Sequence, residues 1–188
     1  RSGGVDLRLR AGVTGFADVE TGIATLLDTG ERIVSDIAIL AVGVTPESAL
    51  ARAAGLELGM RGAIRTDACM RTSDPDIYAV GDAVEVVHAV TGQPAVISLA
   101  GPANKQGRIA ADAICGIEHP FTGSQGSSVL KVFDLDVAAT GLTERAAQAA
   151  GIDFDSVVLT PPNHATYYPG GHAMTLKVLF ERGSGRIL

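Results

Sequence analysis

Residues 37–42 read Ile-Ala-Ile-Leu-Ala-Val, apolar at every position. The run is far below the roughly 18 apolar residues that a membrane helix needs. As a strand it has no polar side to turn to water, so both of its faces must be covered. That is the condition of a largely parallel sheet layered by helices, and it predicts an α/β chain. Composition agrees: 46% of residues are apolar, only 4% are aromatic, and there are 23 glycines. Small side chains and tight turns suit helices packed closely on a sheet. The whole run from Ile33 to Val42 is expected as one strand, closed by Gly43-Val44-Thr45-Pro46, where Gly43 admits a close backbone or ligand.

The remaining periodicity orders the chain around that strand. Val5–Leu9, Val13–Glu20 and Ile23–Asp28 predict three short strands, with turns at Thr21-Gly22 and Thr29-Gly30, and so an antiparallel meander. Ser48 is a candidate N-cap for a short helix over 49–54 that Gly55 ends. Ala63–Thr66 and Ile77–Asp82 are predicted strands. The best helix runs from Ala100 to Ile114, with Pro102 in its first turn and a packing face of Ala103, Gly107, Ala110, Ala111 and Ile114. Residues 116–127, rich in Gly and Ser, read as a linker and a domain boundary. Beyond it, Ser128–Val137 is strand-like, Thr143-Glu144 opens an Ala-rich helix ending at Gly151, and Ser156–Thr160 is a strand. Met174, Leu176, Val178 and Phe180 form one apolar face of another strand, and Ser184-Gly185 turns into a return strand that stops at Leu188.

Several function classes are disfavoured at once. Net charge is −6 and no basic run exists, so a phosphate-tracking nucleic-acid surface is not expected. No membrane span and no signal peptide are read. Cys69 and Cys115 form neither a disulfide framework nor a zinc spacing, and they suit a reducing cytoplasm. The four histidines are not at metal-ligand spacing, so no metal is expected. There is no P-loop, no G-x-S-x-G and no H-E-x-x-H, so no catalytic set is complete. The chain opens on Arg1 without Met and is read as a fragment or a processed product.

One segment carries more chemistry. Thr72-Ser73-Asp74-Pro75-Asp76-Ile77-Tyr78-Ala79-Val80-Gly81-Asp82 ends an apolar run in Gly and then Asp. Gly81 permits close approach, and Asp82 offers a carboxylate at the end of a strand, where α/β sheets bind ligands. Alone, a Gly-Asp pair reads first as a turn or a cap and second as a ligand group. The eleven-residue run, however, resembles the second FAD motif of the pyridine nucleotide-disulfide oxidoreductases. Residues 37–46 resemble that family's motif at the end of the NAD domain, with Val42 in place of a Thr. Leu99-Ala100-Gly101-Pro102-Ala103-Asn104-Lys105-Gln106-Gly107-Arg108 resembles the segment whose helix start faces the flavin pyrimidine.

Within that family, residues 100–108 together with K-V-F-D-L-x-V-A-x-T-G-L and N-H-A-x-Y-Y-P-G resemble the coenzyme A-disulfide reductases. The resemblance implies partial FAD/NAD(P)-binding Rossmann-like domains followed by an α+β dimerisation domain. Residues 1–46 would end the NAD(P)-binding domain, 47–116 would form the second segment of the FAD-binding domain, and 127–188 a truncated dimerisation domain. It implies that Gly81, Asp82, Leu99, Ala100 and Gly101 bind FAD. Asn104 would touch a CoA-type substrate. Tyr168 would reach the partner subunit's active site and act on the substrate, and His164 would lie near the nicotinamide nucleotide or CoA. Electrons would pass from NAD(P)H through FAD to a CoA disulfide in a cytoplasmic homodimer formed through residues 127–188. The redox cysteine is expected outside this chain, so the fragment alone is expected to be inactive and not to retain FAD. An NADH oxidase or peroxidase of the same fold, or a non-catalytic dimerisation module, are the other readings.

Overall fold

The computed structural model describes residues 3–188 and divides into two compact units, one running to Val44 and the other from Thr45 to Leu188. The first unit is a three-stranded antiparallel meander of β1 (Val13–Val19), β2 (Gly22–Leu27) and β3 (Arg32–Ser35) in the order β1-β2-β3. Val19 pairs with Gly22, which makes the β1–β2 turn minimal. Gly22 has φ 140°, and a Cβ there would strike the Ser35 carbonyl, so this turn admits only glycine. Ala24, in the central strand, is fully buried.

The meander is shifted along the chain from its predicted place. Val5–Leu9 forms no strand, and β3 is only the first part of the expected Ile33–Val42 strand. The apolar run itself is unpaired among the described residues and lies open, with Ile39 89% exposed. Periodicity states how many faces a strand must cover but supplies no neighbours to cover them, and none of the described strands pairs with residues 37–42, although Ala38 and Leu40 line a hollow with Phe16, Asp18 and Ile23.

The second unit opens with α1 (Ala49–Ala53), whose first amide after the cap residue is held by a carboxylate: the Ala49 N–H donates to Glu47 Oε1 at 2.9 Å. Gly55 ends it at φ 75°. Ala63–Thr66 is not a strand. Ile64 alone forms bridges, antiparallel to Leu58 and parallel to Val84. Two small ladder strands follow, β4 (Val86–Val87) and β5 (Pro94–Ala95), and then α2 (Ala100–Ile114), with the predicted bounds.

The buried face of α2 differs from the expected one. Gln106, Ala110 and Ala113 are buried, while Gly107, Ala111 and Ile114 are exposed. Of the expected face, Ala110 is buried and Ala103 half-buried, so the packed side is rotated toward Gln106 and Ala113. Residues 116–127 hold no helix or strand, yet they are tied down. Phe121 N–H donates to the Ala68 carbonyl at 2.8 Å, Ser124 N–H donates to the Val87 carbonyl at 3.0 Å, and Ala89 N–H donates to the Ser124 carbonyl at 2.9 Å.

Ser128–Val137 is a hairpin rather than one strand: β6 (Ser128–Val132) pairs with β7 (Leu135–Ala139), reversing at Phe133, which has φ 52°. Every residue of both strands is exposed. Next, α3 (Glu144–Ala149) is capped as its sequence predicts, with Thr143 Oγ1 accepting from the Ala146 N–H at 3.2 Å. Finally β8 (Phe154–Leu159) pairs antiparallel with β9 (Leu176–Glu181).

In β9 the most buried residue lies on the side opposite the expected face, of which Val178 and Phe180 are half-buried. Leu179 is buried with Ala147 and Leu188, whereas Met174 and Leu176 are exposed. A single leucine among Lys177 and Glu181 outweighs the longer apolar row, because α3 lies on its side. The return strand is present as a Phe180–Ile187 bridge, and Leu188 N–H donates to the Leu179 carbonyl.

Candidate functional site

The Thr72–Asp82 segment is a fold-back rather than the predicted strand. Asp74 and Pro75 make the reversal. Ile77 N–H donates to the Asp74 carbonyl, Asp76 N–H to Asp74 Oδ1, and Thr72 N–H to the Ile77 carbonyl, all near 3.0 Å. Tyr78 then bridges back to Arg71, whose Nε donates to the Tyr78 hydroxyl at 3.0 Å. That bond, joined by Glu118, raises the Arg71 pKa further above its already high ordinary value. Ile77 and Val80 remain partly open, since this segment too finds no neighbouring strand.

At the end of the fold-back, Val80 is extended, Gly81 takes φ 85°, and residues 81–83 form one 3-10 turn. A Cβ on Gly81 would meet nothing within 4 Å, so backbone conformation and not crowding calls for glycine here. Asp82 is exposed, and its carboxylate has no hydrogen bond or ion pair among the described residues. Beyond the turn, Ile64 N–H donates to the Ala83 carbonyl and Glu85 N–H to Ile64, so the turn is braced on its far side.

The near side is braced by α2. The Gly81 N–H donates to Gln106 Oε1 at 2.7 Å. Gln106 is 1% exposed and is one of the two largest fully buried side chains. Sequence reasoning passed over it. The signal was available, since residues 106, 110 and 113 follow helical spacing with two alanines, which places a glutamine amide on the packed side of the helix.

The start of α2 carries the other predicted cofactor residues. Leu99 is extended and half-buried at the cap position, with no side-chain cap. The first ladder bond runs from Ala103 N–H to the Leu99 carbonyl at 3.2 Å, which leaves the Ala100 and Gly101 amides outside the ladder. Both residues are exposed, and a Cβ on Gly101 would meet nothing. Pro102 contributes no N–H. Asn104 is exposed, and its Nδ2 donates to the Ala100 carbonyl at 3.0 Å. A cleft of about 350 Å³ lies between this helix start and residues 121–127, with Lys105 on its wall.

His164 and Tyr168 come together elsewhere. Their rings meet edge to face at 6.5 Å, Tyr167 leans on Tyr168 at 4.7 Å, and His164 Nδ1 lies 2.9 Å from the Ala165 carbonyl. Asn163 and His172 clamp the base of this loop through two 2.9 Å bonds. Tyr168 is 60% exposed. Among the described residues no hydrogen bond, ion pair or ring contact joins this cluster to Asp82 or to α2.

The arrangement around Gly81 fits a flavin on physical grounds. An uncommitted carboxylate can accept from sugar-chain hydroxyls, and two free amides at the start of a long helix favour negative charge. Comparison with known proteins identifies the family. Residues 1–107 match the family described as pyridine nucleotide-disulphide oxidoreductase, and residues 127–188 match its dimerisation domain.

The chain belongs to the pyridine nucleotide-disulphide oxidoreductases. An NAD(P)H sulfur oxidoreductase (CoA-dependent) of Pyrococcus abyssi is 36% identical over 184 residues, 98% of this chain and 41% of that protein. A coenzyme A disulfide reductase of Staphylococcus epidermidis is 30% identical over 81% of this chain and 35% of its own length. An NADH oxidase of Streptococcus pneumoniae serotype 4 is 33% identical over 97% and 40%. Among solved structures, an NAD-dependent persulfide reductase from A. fulgidus superposes with a TM-score of 0.90 at 36% identity, covering 95% of this chain and 33% of that one. An FAD-dependent family member from Desulfovibrio vulgaris gives 0.82 at 35%, covering 95% and 42%. The chain thus spans about two fifths of the length of its first relatives. No helix among the described residues is long and apolar enough to cross a membrane.

Proposed function

We propose that these residues serve in an FAD-dependent NAD(P)H:disulfide oxidoreductase that acts on a CoA-type disulfide. The observation that carries the reading is the Gly81–Asp82 turn, which presents an uncommitted carboxylate and is bonded to the helix whose first amides are free. Bound flavin would take a hydride from NAD(P)H and pass the electrons to the disulfide. Asp82 would accept from the hydroxyls of the flavin's sugar chain. Leu99, Ala100 and Gly101 would place the helix start at the ring edge that gains negative charge on reduction, stabilising it electrostatically.

Asn104 would contact the CoA-type substrate. His164 and Tyr168 would serve the site of the other subunit in a homodimer formed through residues 127–188, and the Tyr168 hydroxyl would orient a sulfur and donate to it. The open β6–β7 hairpin carries Leu130, Val132, Leu135 and Val137 exposed on one face, which supports burial of that region against a partner. Two free cysteines suit a reducing, cytoplasmic setting. The activity would belong to a polypeptide of the relatives' length, and residues 1–188 alone would lack it.

The test is to purify that longer polypeptide, record its flavin spectrum, and follow NADH and NADPH oxidation with CoA disulfide against oxygen. The expected result is bound FAD and disulfide-dependent turnover. Oxygen consumption with no response to CoA disulfide would instead establish an oxidase.

A further inference from the structure

We propose that Gln106 is a positioning residue, holding the Gly81 amide so that Asp82 is presented to the flavin at one fixed angle. The inference rests on the flavin reading of this site and adds a residue to it. The 3-10 turn at 81–83 begins without a side-chain cap, and Val80 before it is extended. Its first amide therefore needs an acceptor from elsewhere in the chain. The acceptor comes from 25 positions away: Gln106 Oε1 at 2.7 Å, from a side chain almost wholly removed from water. Gly81 itself is half-buried, so a lost acceptor leaves its N–H with only limited access to a replacement partner.

The geometry makes the bond directional. The Gly81 amide is fixed on one side by Gln106, and the Ala83 carbonyl is fixed on the other by the Ile64 N–H at 2.8 Å. Asp82 sits between these two anchors, so its Cα has little freedom to swing. Gly81 itself, at φ 85° with open space around it, supplies no restraint of its own. Gln106 also lies in the helix whose start would face the ring, so one side chain couples the two halves of the flavin site. An amide serves better than a carboxylate here. A glutamate could accept the same bond, but its charge would stand close to Asp82 and to the flavin edge that becomes negative.

The test uses the polypeptide of the relatives' length, stripped of flavin and titrated with FAD by fluorescence. Five proteins are compared: wild type, Gln106→Met, Gln106→Glu, Asp82→Ala and the Gln106→Met/Asp82→Ala double variant. Amide hydrogen exchange at Gly81 is followed in the flavin-free state, where it requires no activity. Gln106→Met should weaken FAD binding about tenfold and release the Gly81 amide to exchange. In the Asp82→Ala background the same change should cost less than about threefold, because the group it positions is gone. Gln106→Glu should keep Gly81 protected and restore most of the affinity at acid pH, where a buried carboxyl is neutral.

Equal losses from Gln106→Met in both backgrounds, or an unprotected Gly81 amide in wild type, would overturn the positioning role. An Asp82→Ala protein that binds FAD as wild type does would overturn the flavin reading, and with it the inference. If Gln106→Met does not fold, the Gln106→Glu exchange and titration data decide the question by themselves.

Discussion

The Gly81–Asp82 turn and the Tyr167–Tyr168 turn both offer polar groups to solvent, yet they are held in opposite ways. The first is anchored from within by a glutamine buried under a long helix and braced again at Ala83. The second is held by its own neighbours, with the Asn163–His172 clamp at its base and ring contacts among His164, Tyr167 and Tyr168. One has its angles set by bonds inside the chain. The other lies open, with Tyr167 and Tyr168 both exposed. A fixed anchor suits contact with a rigid cofactor, and a bare aromatic turn suits a surface that gains its partner on assembly.

That contrast can be broken from the largest effect down. Asp82→Ala should lower FAD affinity roughly a hundredfold in the longer polypeptide, read as the flavin-to-protein absorbance ratio after desalting, since bonds to a carboxylate are the strong ones. Tyr168→Phe should leave that ratio unchanged and cut disulfide turnover about tenfold. If flavin is lost instead, the two turns are not separate in function.

Asn163→Ala should cost only about 0.5 kcal/mol in urea unfolding, because water replaces an exposed acceptor. The His172 amide should exchange faster while Gly81 stays protected. The smallest effect is a pH dependence at α3. Lys177, at 2.7 Å, and then Ser156 hold the Glu144 carboxyl below its ordinary value of 4.5. Its contribution is therefore complete above the unfolded pKa and is lost as pH falls through the lowered folded one. The stability difference between wild type and Glu144→Gln should be constant near neutrality and shrink in acid. A difference that grows in acid would reverse the sign of this pair's role.

Local signals in the sequence were read well. The α2 bounds, the Thr143 cap, the Gly55 and Gly151 stops and the minimal β1–β2 turn all follow from a few adjacent residues. What failed was anything that depends on a neighbour far along the chain. Residues 37–42 and 77–80 have the composition of covered strands, but pairing is a property of two segments, and the second is not encoded in the first. The buried sides of α2 and β9 were read only in part for a related reason. Counting apolar residues favours the longer row, while the packed side is fixed by what lies across from it: the Gly81 turn for Gln106, and α3 for Leu179. Within the site, Asp82 and the helix start were legible as a motif. Gln106 was not, because its role exists only once residues 81 and 106 meet.

Gly123 shows that a segment rich in Gly and Ser can be tightly held. Residues 116–127 have the makeup of a hinge, but a Cβ at Gly123 would strike the Val87 carbonyl, so this glycine marks a tight crossing. The segment works as a seam. A protease seeking extended, yielding backbone should pass over Gly123-Ser124 despite its residues, and an insertion there should disturb the β4 edge rather than lengthen a tether.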